Sequence, residues 1–211
     1  VTSSAILNLL KTVGYRKVSL SDGGRVIKQN PETKLDCSAI AKGYGCDVVA
    51  ALFNELGIKD YLVEIGGEIA AKGKNSKNAL WSIGINRPVD DSTQVNNEIE
   101  AVVELSDCGM ATSGNYRRFY YRNGKRYAHT IDPRSGYPVQ HALLSSTVID
   151  RDCATADAYA TAFMVLGVDS AKEVLRNHKE LEAYFIYSDE KGGYGVWMSP
   201  QLAARIAKAK R

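Results

Sequence analysis

Residues 182–198 read EAYFIYSDEKGGYGVWM, two strand-like runs separated by a glycine pair, and they decide the fold prediction. Aromatic and β-branched residues on both sides of a glycine-containing turn predict a β-hairpin. Residues 118–131, RFYYRNGKRYAHTI, repeat the pattern, and their Asn-Gly pair at 123–124 suits a type I′ turn. Because most predicted strands are joined by turns, the sequence predicts an α+β fold with a largely antiparallel sheet and packed helices.

The rest of the chain alternates between strand and helix patterns. Further strands are predicted at 15–29 around a turn at 22–24, at 61–73 with a break at Gly66-Gly67, at 81–89 ended by Pro88, at 101–107 and at 145–150. Helices are predicted at 1–14 with a cap at Thr2, Ser3 or Ser4, at 38–56, at 154–167, at 169–178 and in the basic tail from 200. The helix at 38–56 rests on apolar residues at a spacing of four, namely Ile40, Tyr44, Val48 and Leu52.

The composition is that of an ordinary globular domain. The chain has 211 residues, of which 45% are hydrophobic and 24% charged, and its net charge is +3. This charge is too small to indicate a nucleic-acid partner, and the apolar runs fall short of the roughly 18 residues that a membrane span needs. The four cysteines form no CxxC pair, so we expect free thiols and no structural zinc. We expect one domain over residues 1–211.

The first candidate site is LDCSAIAKGYG at residues 35–45, where a carboxylate, small residues and a lysine meet at a predicted helix start. The free N–H groups and positive end of a helix N-terminus attract phosphate, and Lys42 adds a full positive charge. The same residues also fit a plain helix start, with Asp36 or Ser38 as N-cap and Lys42 on the surface. Gly43 and Gly45 weaken a helix, so another element or a ligand must approach that face closely.

The second candidate is the pair Asp157 and Thr161 in ATADAYATAF. Residues four apart lie on one face of a helix, and a carboxylate with a hydroxyl can share a hard cation such as Mg²⁺. The alternative is structural: Asp157 favours the helix dipole, and Thr161 bonds back to the carbonyl of Asp157.

Weaker candidates lie in the intervening strands. His129 stands near a strand end beside the turn DPRSGYP, where it suits a general base, although a structural histidine fits equally. Residues 111–118, ATSGNYRR, could line a phosphate pocket or carry only surface ion pairs. In residues 64–68, EIGGE, the glycines suit a bulge and the glutamates a solvated surface.

Together these motifs predict phosphoryl or nucleotidyl chemistry. They combine a helix-start phosphate site, an oxygen pair for Mg²⁺ and a candidate base. Neither GxxxxGK[ST] nor a GxGxxG after a strand is present, so the usual nucleotide-fold interpretations are not supported.

Four of these segments resemble the ApbE family, the FAD:protein FMN transferases, in family order and with similar spacing. They cover most of residues 13–167 and read LDCSAIAKGYGCD, YLVEIGGEI, ATSGNYRRFYYRNGKRYAHTIDPRSGYPV and CATADAYATAFMVLG. The resemblance implies an ApbE-like α+β domain that transfers FMN from FAD to a Thr or Ser hydroxyl of a target protein, with Mg²⁺, and releases AMP.

The resemblance also assigns roles to individual residues. The carbonyl of Ala39, the carboxylate of Asp157 and the hydroxyl of Thr161 would bind Mg²⁺, and His129 would be the catalytic base. Ala160 stands where some relatives carry an acidic residue, so the metal set here is small.

Contacts to FAD are implied for Asp36, Lys42 and Ile131. Full-length family members begin with a long segment that adds FAD contacts, so residues 1–211 are expected to form the C-terminal part of the transferase domain, without that segment. The implied partners are FAD and acceptor flavoprotein subunits of membrane redox complexes. The implied location is the periplasmic face of the bacterial inner membrane, through a lipid anchor outside this chain. Two other functions stay open: hydrolysis of FAD to FMN and AMP, and FAD binding without catalysis.

Overall fold

The computed structural model describes residues 2–88, 98–115, 119–122, 125–128, 130–189, 193–203 and 205–207. Its helices are α1 (Ser3–Leu10), α2 (Ala41–Glu55), α3 (Cys153–Leu166), α4 (Val168–Asn177) and α5 (Pro200–Ala203), and a 3-10 turn spans Tyr15–Lys17. The first strands are β1 (Val18–Leu20), β2 (Val26–Lys28), β3 (Tyr61–Ile65), β4 (Glu68–Lys72), β5 (Trp81–Asn86), β6 (Ile99–Leu105), β7 (Cys108–Gly114) and β8 (Phe119–Arg122). The later strands are β9 (Lys125–Ala128), β10 (Ile131–Asp132), β11 (Tyr137–Pro138), β12 (Leu143–Asp150), β13 (Glu182–Ser188), β14 (Tyr194–Met198) and β15 (Ile206–Ala207).

A six-stranded sheet forms the centre of the molecule, in the order β14-β13-β12-β7-β4-β3. Every neighbouring pair in it is antiparallel. A three-stranded antiparallel sheet, β15-β6-β5, forms a separate sheet, since in the described part of the chain none of its strands pairs with a strand of the central sheet. The predicted α+β fold with a largely antiparallel sheet is therefore confirmed.

Both faces of the central sheet are covered. On one face Met110 of β7 belongs to an apolar cluster with Val103 of β6, so the smaller sheet packs there. On the other face Phe163 of α3 meets Phe185 of β13 edge to face, with ring centroids 5.6 Å apart. Because both faces are covered, β12 is almost entirely buried, although four of its eight residues are polar.

Helix α2 lies on the helix-bearing face, beside α3, and packs on β3 and β4. Cys46 is its fully buried contact, in a cluster with Tyr61 and Val63 of β3. The apolar residues at a spacing of four that predict this helix, which include Tyr44, are instead exposed. The helix prediction is confirmed, but these residues lie on the face opposite the core.

Two glycines let α2 and β7 approach the start of α3. A Cβ on Gly43 would overlap the carbonyl group of Cys153, and a Cβ on Gly109 would overlap the backbone nitrogen of the same residue. Gly45, by contrast, faces the end of the Ile65 side chain, which would lie 3.2 Å from a Cβ at that position. The close approach expected from Gly43 is thus made by helix α3.

Several boundaries differ from the sequence prediction. Residues 61–73 form a hairpin, because Gly66 (φ 62°) and Gly67 (φ 100°) make the turn between β3 and β4 rather than a bulge. The tail is helical only through Ala203, after which Ile206 and Ala207 pair with β6. Helix α2 begins at Ala41, after a turn at 38–40, instead of at 38. The predicted hairpins β8–β9 and β13–β14 are confirmed, although Asn123 and Gly124 lie outside the described residues.

Within the described ranges, no helix has the length and apolar character required to cross a bilayer. All four cysteines are free thiols, as predicted, and Cys37 alone among them is exposed.

Candidate functional site

The N-termini of α2 and α3 each receive a carboxylate from the other helix. The backbone N–H of Gly43 in α2 donates to Oδ2 of Asp157 in α3 over 3.1 Å. Asp47 of α2 in turn accepts hydrogen bonds from the backbone N–H groups of Cys153 (2.9 Å) and Ala154 (2.8 Å) at the start of α3. Because a helix N-terminus favours negative charge, this exchange fixes the two helices against each other.

Asp157 is a buried carboxylate, and one of its oxygens has no hydrogen-bond donor among the described residues. Its residue is only 2% exposed, and burial raises the pKa of its carboxyl group. Gly43 takes Oδ2, and none of the described residues donates a hydrogen bond to Oδ1. A desolvated carboxylate with a remaining lone pair is well suited to a cation.

Thr161 lies one turn further along α3, and its hydroxyl bonds to a neighbouring strand. Its Oγ1 is 3.0 Å from Oγ of Ser113 in β7, and either oxygen can be the donor. The alternative in which Thr161 bonds back to the carbonyl of Asp157 is not what the structure shows. A hydroxyl that donates its proton to Ser113 keeps its lone pairs for a cation.

Lys42 is paired with a glutamate from the sheet. Its Nζ lies 2.5 Å from Oε1 of Glu68, the first residue of β4. Glu68 is 2% exposed, whereas the Lys42 side chain is 46% exposed. The expectation that both glutamates of 64–68 are solvated is therefore wrong for Glu68, because the hairpin register turns it inward beneath Lys42.

Of the remaining predicted residues, three can be described: Asp36, Ala39 and Ile131. Asp36 is exposed, and its Oδ1 accepts the backbone N–H of Ser38 over 2.7 Å; hydrogen bonds from Ser38 lower the pKa of Asp36. Asp36 caps this turn and not α2, whose N-cap, Ile40, makes no side-chain cap. Ala39 is half-buried in the same turn, and Ile131 is 55% exposed. The predicted base His129 lies outside the described residues.

Residues 111–118 serve mainly to join strands in the part that is described. Oγ1 of Thr112 lies 2.8 Å from Oγ1 of Thr147, and the hydroxyl of Thr130 donates to Oδ1 of Asn115 over 2.6 Å. The second contact joins the residue directly before β10 to the residue directly after β7. Arg117 and Arg118, the proposed phosphate ligands of this motif, lie outside the described residues.

The charges of the site favour binding of a cation, followed by an anion. Two buried carboxylates, Asp157 and Glu68, lie near one ammonium, Lys42, whose field partly offsets the rise in the pKa of both acids. No three His, Cys, Asp or Glu side chains cluster as metal ligands among the residues that can be described. One carboxylate with neutral oxygens is the kind of incomplete set that Mg²⁺ completes with water and phosphate oxygens.

Three residues of the site were not predicted in their observed roles from the sequence: Glu68, Asp47 and Ser113. Glu68 was detectable only as an acid that begins the strand EIAAK, whose next three residues are small or apolar. Asp47 and Ser113 act on residues that lie more than 40 positions away in the chain, so no local pattern marks them.

Replacing Asp47 with alanine is expected to lower the free energy of unfolding by about 1–2 kcal/mol, because two N–H groups at the start of α3 lose their acceptor. Urea denaturation followed by circular dichroism measures the change. Glu55→Ala, at an exposed position in the last turn of the same helix, is the control and should change stability by less than about 0.5 kcal/mol. Equal effects of the two substitutions would contradict the capping role.

Comparison with known proteins gives consistent relationships. A family model described as the ApbE family matches residues 1–185. The FAD:protein FMN transferase of Haemophilus influenzae is 43% identical over 183 residues, which cover 85% of this chain and 52% of the relative. The FAD:protein FMN transferase of Escherichia coli K12 is 38% identical over 183 residues, covering 87% and 50%. The chain spans about half the length of these curated relatives.

Solved structures agree with the sequence relatives. The apo form of Pseudomonas stutzeri flavinyl transferase ApbE superposes with a TM-score of 0.84 at 33% identity, over 97% of this chain and 61% of that one. The flavin transferase ApbE from Vibrio cholerae gives a TM-score of 0.84 at 34% identity, over 97% and 63%. The fold is thus that of a flavin-transferase-like α+β domain. The chain belongs to the ApbE family.

Proposed function

We propose that this protein transfers FMN from FAD to a threonine or serine hydroxyl of a target protein, in a Mg²⁺-dependent reaction that releases AMP. The observation that carries the proposal is the placement of the buried Asp157 against the N-terminus of α2, next to Lys42. Relatives at 38% and 43% identity are named FAD:protein FMN transferases, which supports the choice of substrate.

The residues present fit Mg²⁺. Asp157 has one oxygen to which no described residue donates, Thr161 can turn its lone pairs outward while it donates to Ser113, and Ala39 offers a backbone carbonyl. All three are the hard oxygen ligands that this ion prefers. The described carboxylates of the site outnumber its one described ammonium, Lys42, so a diphosphate is repelled until a divalent cation is bound. When bound, the ion supplies charge neutralisation of the diphosphate and of the leaving AMP phosphate.

The remaining residues bind substrate and move the proton. Lys42 and the N-terminus of α2 attract the diphosphate, while Asp36 and Ile131 contact the nucleotide. His129 accepts the proton of the target hydroxyl as that oxygen bonds to the phosphorus of the FMN phosphate. The bond from this phosphorus to the bridging oxygen breaks, and AMP leaves with the electron pair.

The direct test incubates the full-length protein with FAD, Mg²⁺ and an acceptor flavoprotein subunit prepared without flavin. The expected result is a covalently fluorescent acceptor on a denaturing gel, one AMP released per FMN attached, and loss of both with EDTA. AMP release without acceptor would show FAD hydrolysis instead. Retention of FAD without any AMP would show a binding protein.

His129→Ala in the same assay is expected to slow labelling by about 10²–10⁴-fold, because a positioned general base contributes that much. FAD affinity should stay within about twofold, since the imidazole acts on the acceptor hydroxyl. His178→Ala is the matched control, as His178 pairs at the surface with Glu180. Unchanged labelling by His129→Ala would remove the base assignment.

We also propose that the acceptors are subunits of membrane redox complexes and that the reaction occurs at the periplasmic face of the bacterial inner membrane. This proposal is supported by the family membership. Fractionation of cells that express the full-length protein, followed by detection in membrane and periplasmic fractions, tests the location.

A further inference from the structure

Glu68 and Lys42 form an ion pair in which the acid is buried and the base reaches solvent. Oε1 of Glu68 holds the Lys42 ammonium at 2.5 Å, and no described residue bonds to Oε2 of the same carboxylate. The two residues are 26 positions apart and join the start of β4 to the start of α2. A carboxylate that is 2% exposed, with one oxygen lacking a described partner, contributes little to the stability of a fold, because removing its charge from water is unfavourable.

The aliphatic part of the Lys42 side chain also lies against the protein, as its ammonium does. A Cβ on Gly66, in the turn between β3 and β4, would come within 3.1 Å of Cδ of Lys42 and 3.7 Å of Oε2 of Glu68. The lysine therefore runs along the backbone of that turn and ends on Glu68. A lysine free in solvent retains its rotamer freedom, which a ligand would have to remove on binding.

The Lys42 ammonium has N–H groups that no described residue accepts. An ammonium carries three N–H groups, and Glu68 takes one of them. Lys42 is the second residue of α2, directly before Gly43, whose N–H binds Asp157. The lysine head is thus fixed beside the helix start at which the diphosphate is proposed to bind.

We propose that Glu68 is a positioning residue that holds the Lys42 ammonium in place for a phosphate oxygen of the FAD diphosphate. The inference rests on the proposed function and adds a residue to it. Glu68 acts through Lys42 and does not itself touch the substrate. Protein kinases use a lysine-glutamate pair in the same way to hold a lysine on nucleotide phosphates.

A double-mutant cycle on the full-length protein tests the inference, with the dissociation constant of FAD in Mg²⁺ measured by flavin fluorescence. Glu68→Gln and Lys42→Met are each expected to weaken FAD binding about tenfold. The double variant should match Lys42→Met within about twofold, because Glu68 has no effect once the ammonium is absent. Glu64→Gln, at an exposed position on the partner strand β3, should bind FAD like the wild type.

Steady-state kinetics separate positioning from a purely structural role. Glu68→Gln should raise KM for FAD about tenfold and leave kcat within about threefold, because uniform binding is lost. A folding defect would instead lower kcat with KM unchanged. Should the amide variant be destabilised in thermal unfolding, Glu68→Met, which replaces the half-satisfied acid by an apolar side chain of similar length, repeats both measurements.

Failure of the positioning role can be distinguished from failure of the proposed function. Wild-type affinity in Glu68→Gln, tighter binding, or effects that multiply in the double variant would each overturn the positioning role. Failure of the wild-type protein to label an acceptor would overturn the proposed function, and the binding cycle would still decide the role of Glu68. Failure of the wild-type protein to bind FAD would overturn both.

Discussion

Replacing Asp157 with asparagine is expected to weaken Mg²⁺ binding by roughly 100-fold or more and to reduce FMN transfer by at least as much. Asp157 is the one carboxylate in the proposed ligand set, beside the hydroxyl of Thr161 and the carbonyl of Ala39. Without this carboxylate, the site offers the ion only neutral oxygens. The diphosphate then loses the positive charge that neutralises its own.

The asparagine variant is chosen because it separates metal binding from folding. Its amide oxygen can still accept the N–H of Gly43, so the junction between α2 and α3 stays closed. Burial raises the pKa of Asp157, which means that the ionised form costs free energy in the folded protein at neutral pH. A neutral amide removes this cost, so the free energy of unfolding without Mg²⁺ should be unchanged or slightly higher.

The pH dependence has a definite sign. A folded-state pKa above the unfolded value means that the folded protein holds the extra proton between the two values, so this contribution to stability falls as pH rises through that window. The asparagine variant should lack that decline. Mg²⁺ requires the ionised carboxylate, so its affinity for the wild type should fall as pH drops through the raised pKa.

Isothermal titration with Mg²⁺, in the presence and absence of FAD, measures the affinity, and urea denaturation between pH 4 and 8 measures the stability. Asp169→Asn, in the first turn of the next helix, is the control for loss of one acidic charge. Normal Mg²⁺ affinity in Asp157→Asn would show that this carboxylate is only a helix cap.

The local part of the fold could be predicted from the sequence. Alternation, glycine turns and capping residues indicated the hairpins, α1 with a cap at Thr2, Ser3 or Ser4, and α3 closed by Gly167. Each is present, and Thr2 is the cap of α1. What could not be predicted was the choice of buried face on α2. The stripe containing Tyr44 has the regular spacing of a core face, but the packing of α2 on β3 and α3 selects the side that carries Gly43 and Cys46.

The candidate site was predictable to a similar extent. The pattern at 157 and 161 placed a carboxylate and a hydroxyl on one helical face, and the structure puts both against neighbouring elements. Glu68 was missed because its burial depends on Lys42, 26 residues away, and an acid beside two glycines looks like a turn residue. Side chains that meet only through tertiary packing leave no periodic signal in the chain.

The junction of α2 and α3 leads to the second large prediction, that Gly43→Ala lowers the free energy of unfolding by about 2–4 kcal/mol. The added methyl group would overlap the carbonyl of Cys153, a backbone atom that cannot move without shifting α3. This loss exceeds the gain of about 1 kcal/mol that alanine brings to a helix interior. The shift would also separate the N–H of Gly43 from Asp157, so FAD and Mg²⁺ binding should weaken in the fraction that remains folded.

Gly45→Ala is the matched control, two residues along the same helix. Its methyl group would meet only the flexible end of the Ile65 side chain at 3.2 Å, so the helix propensity of alanine should dominate. We expect stability that is unchanged or higher by up to about 1 kcal/mol, with normal FAD binding. Urea denaturation and flavin fluorescence of the two variants, side by side, compare the positions directly. If both glycines tolerate alanine equally, the contact between α2 and α3 does not hold Asp157 at the helix start, and the geometry from which the site is built is wrong.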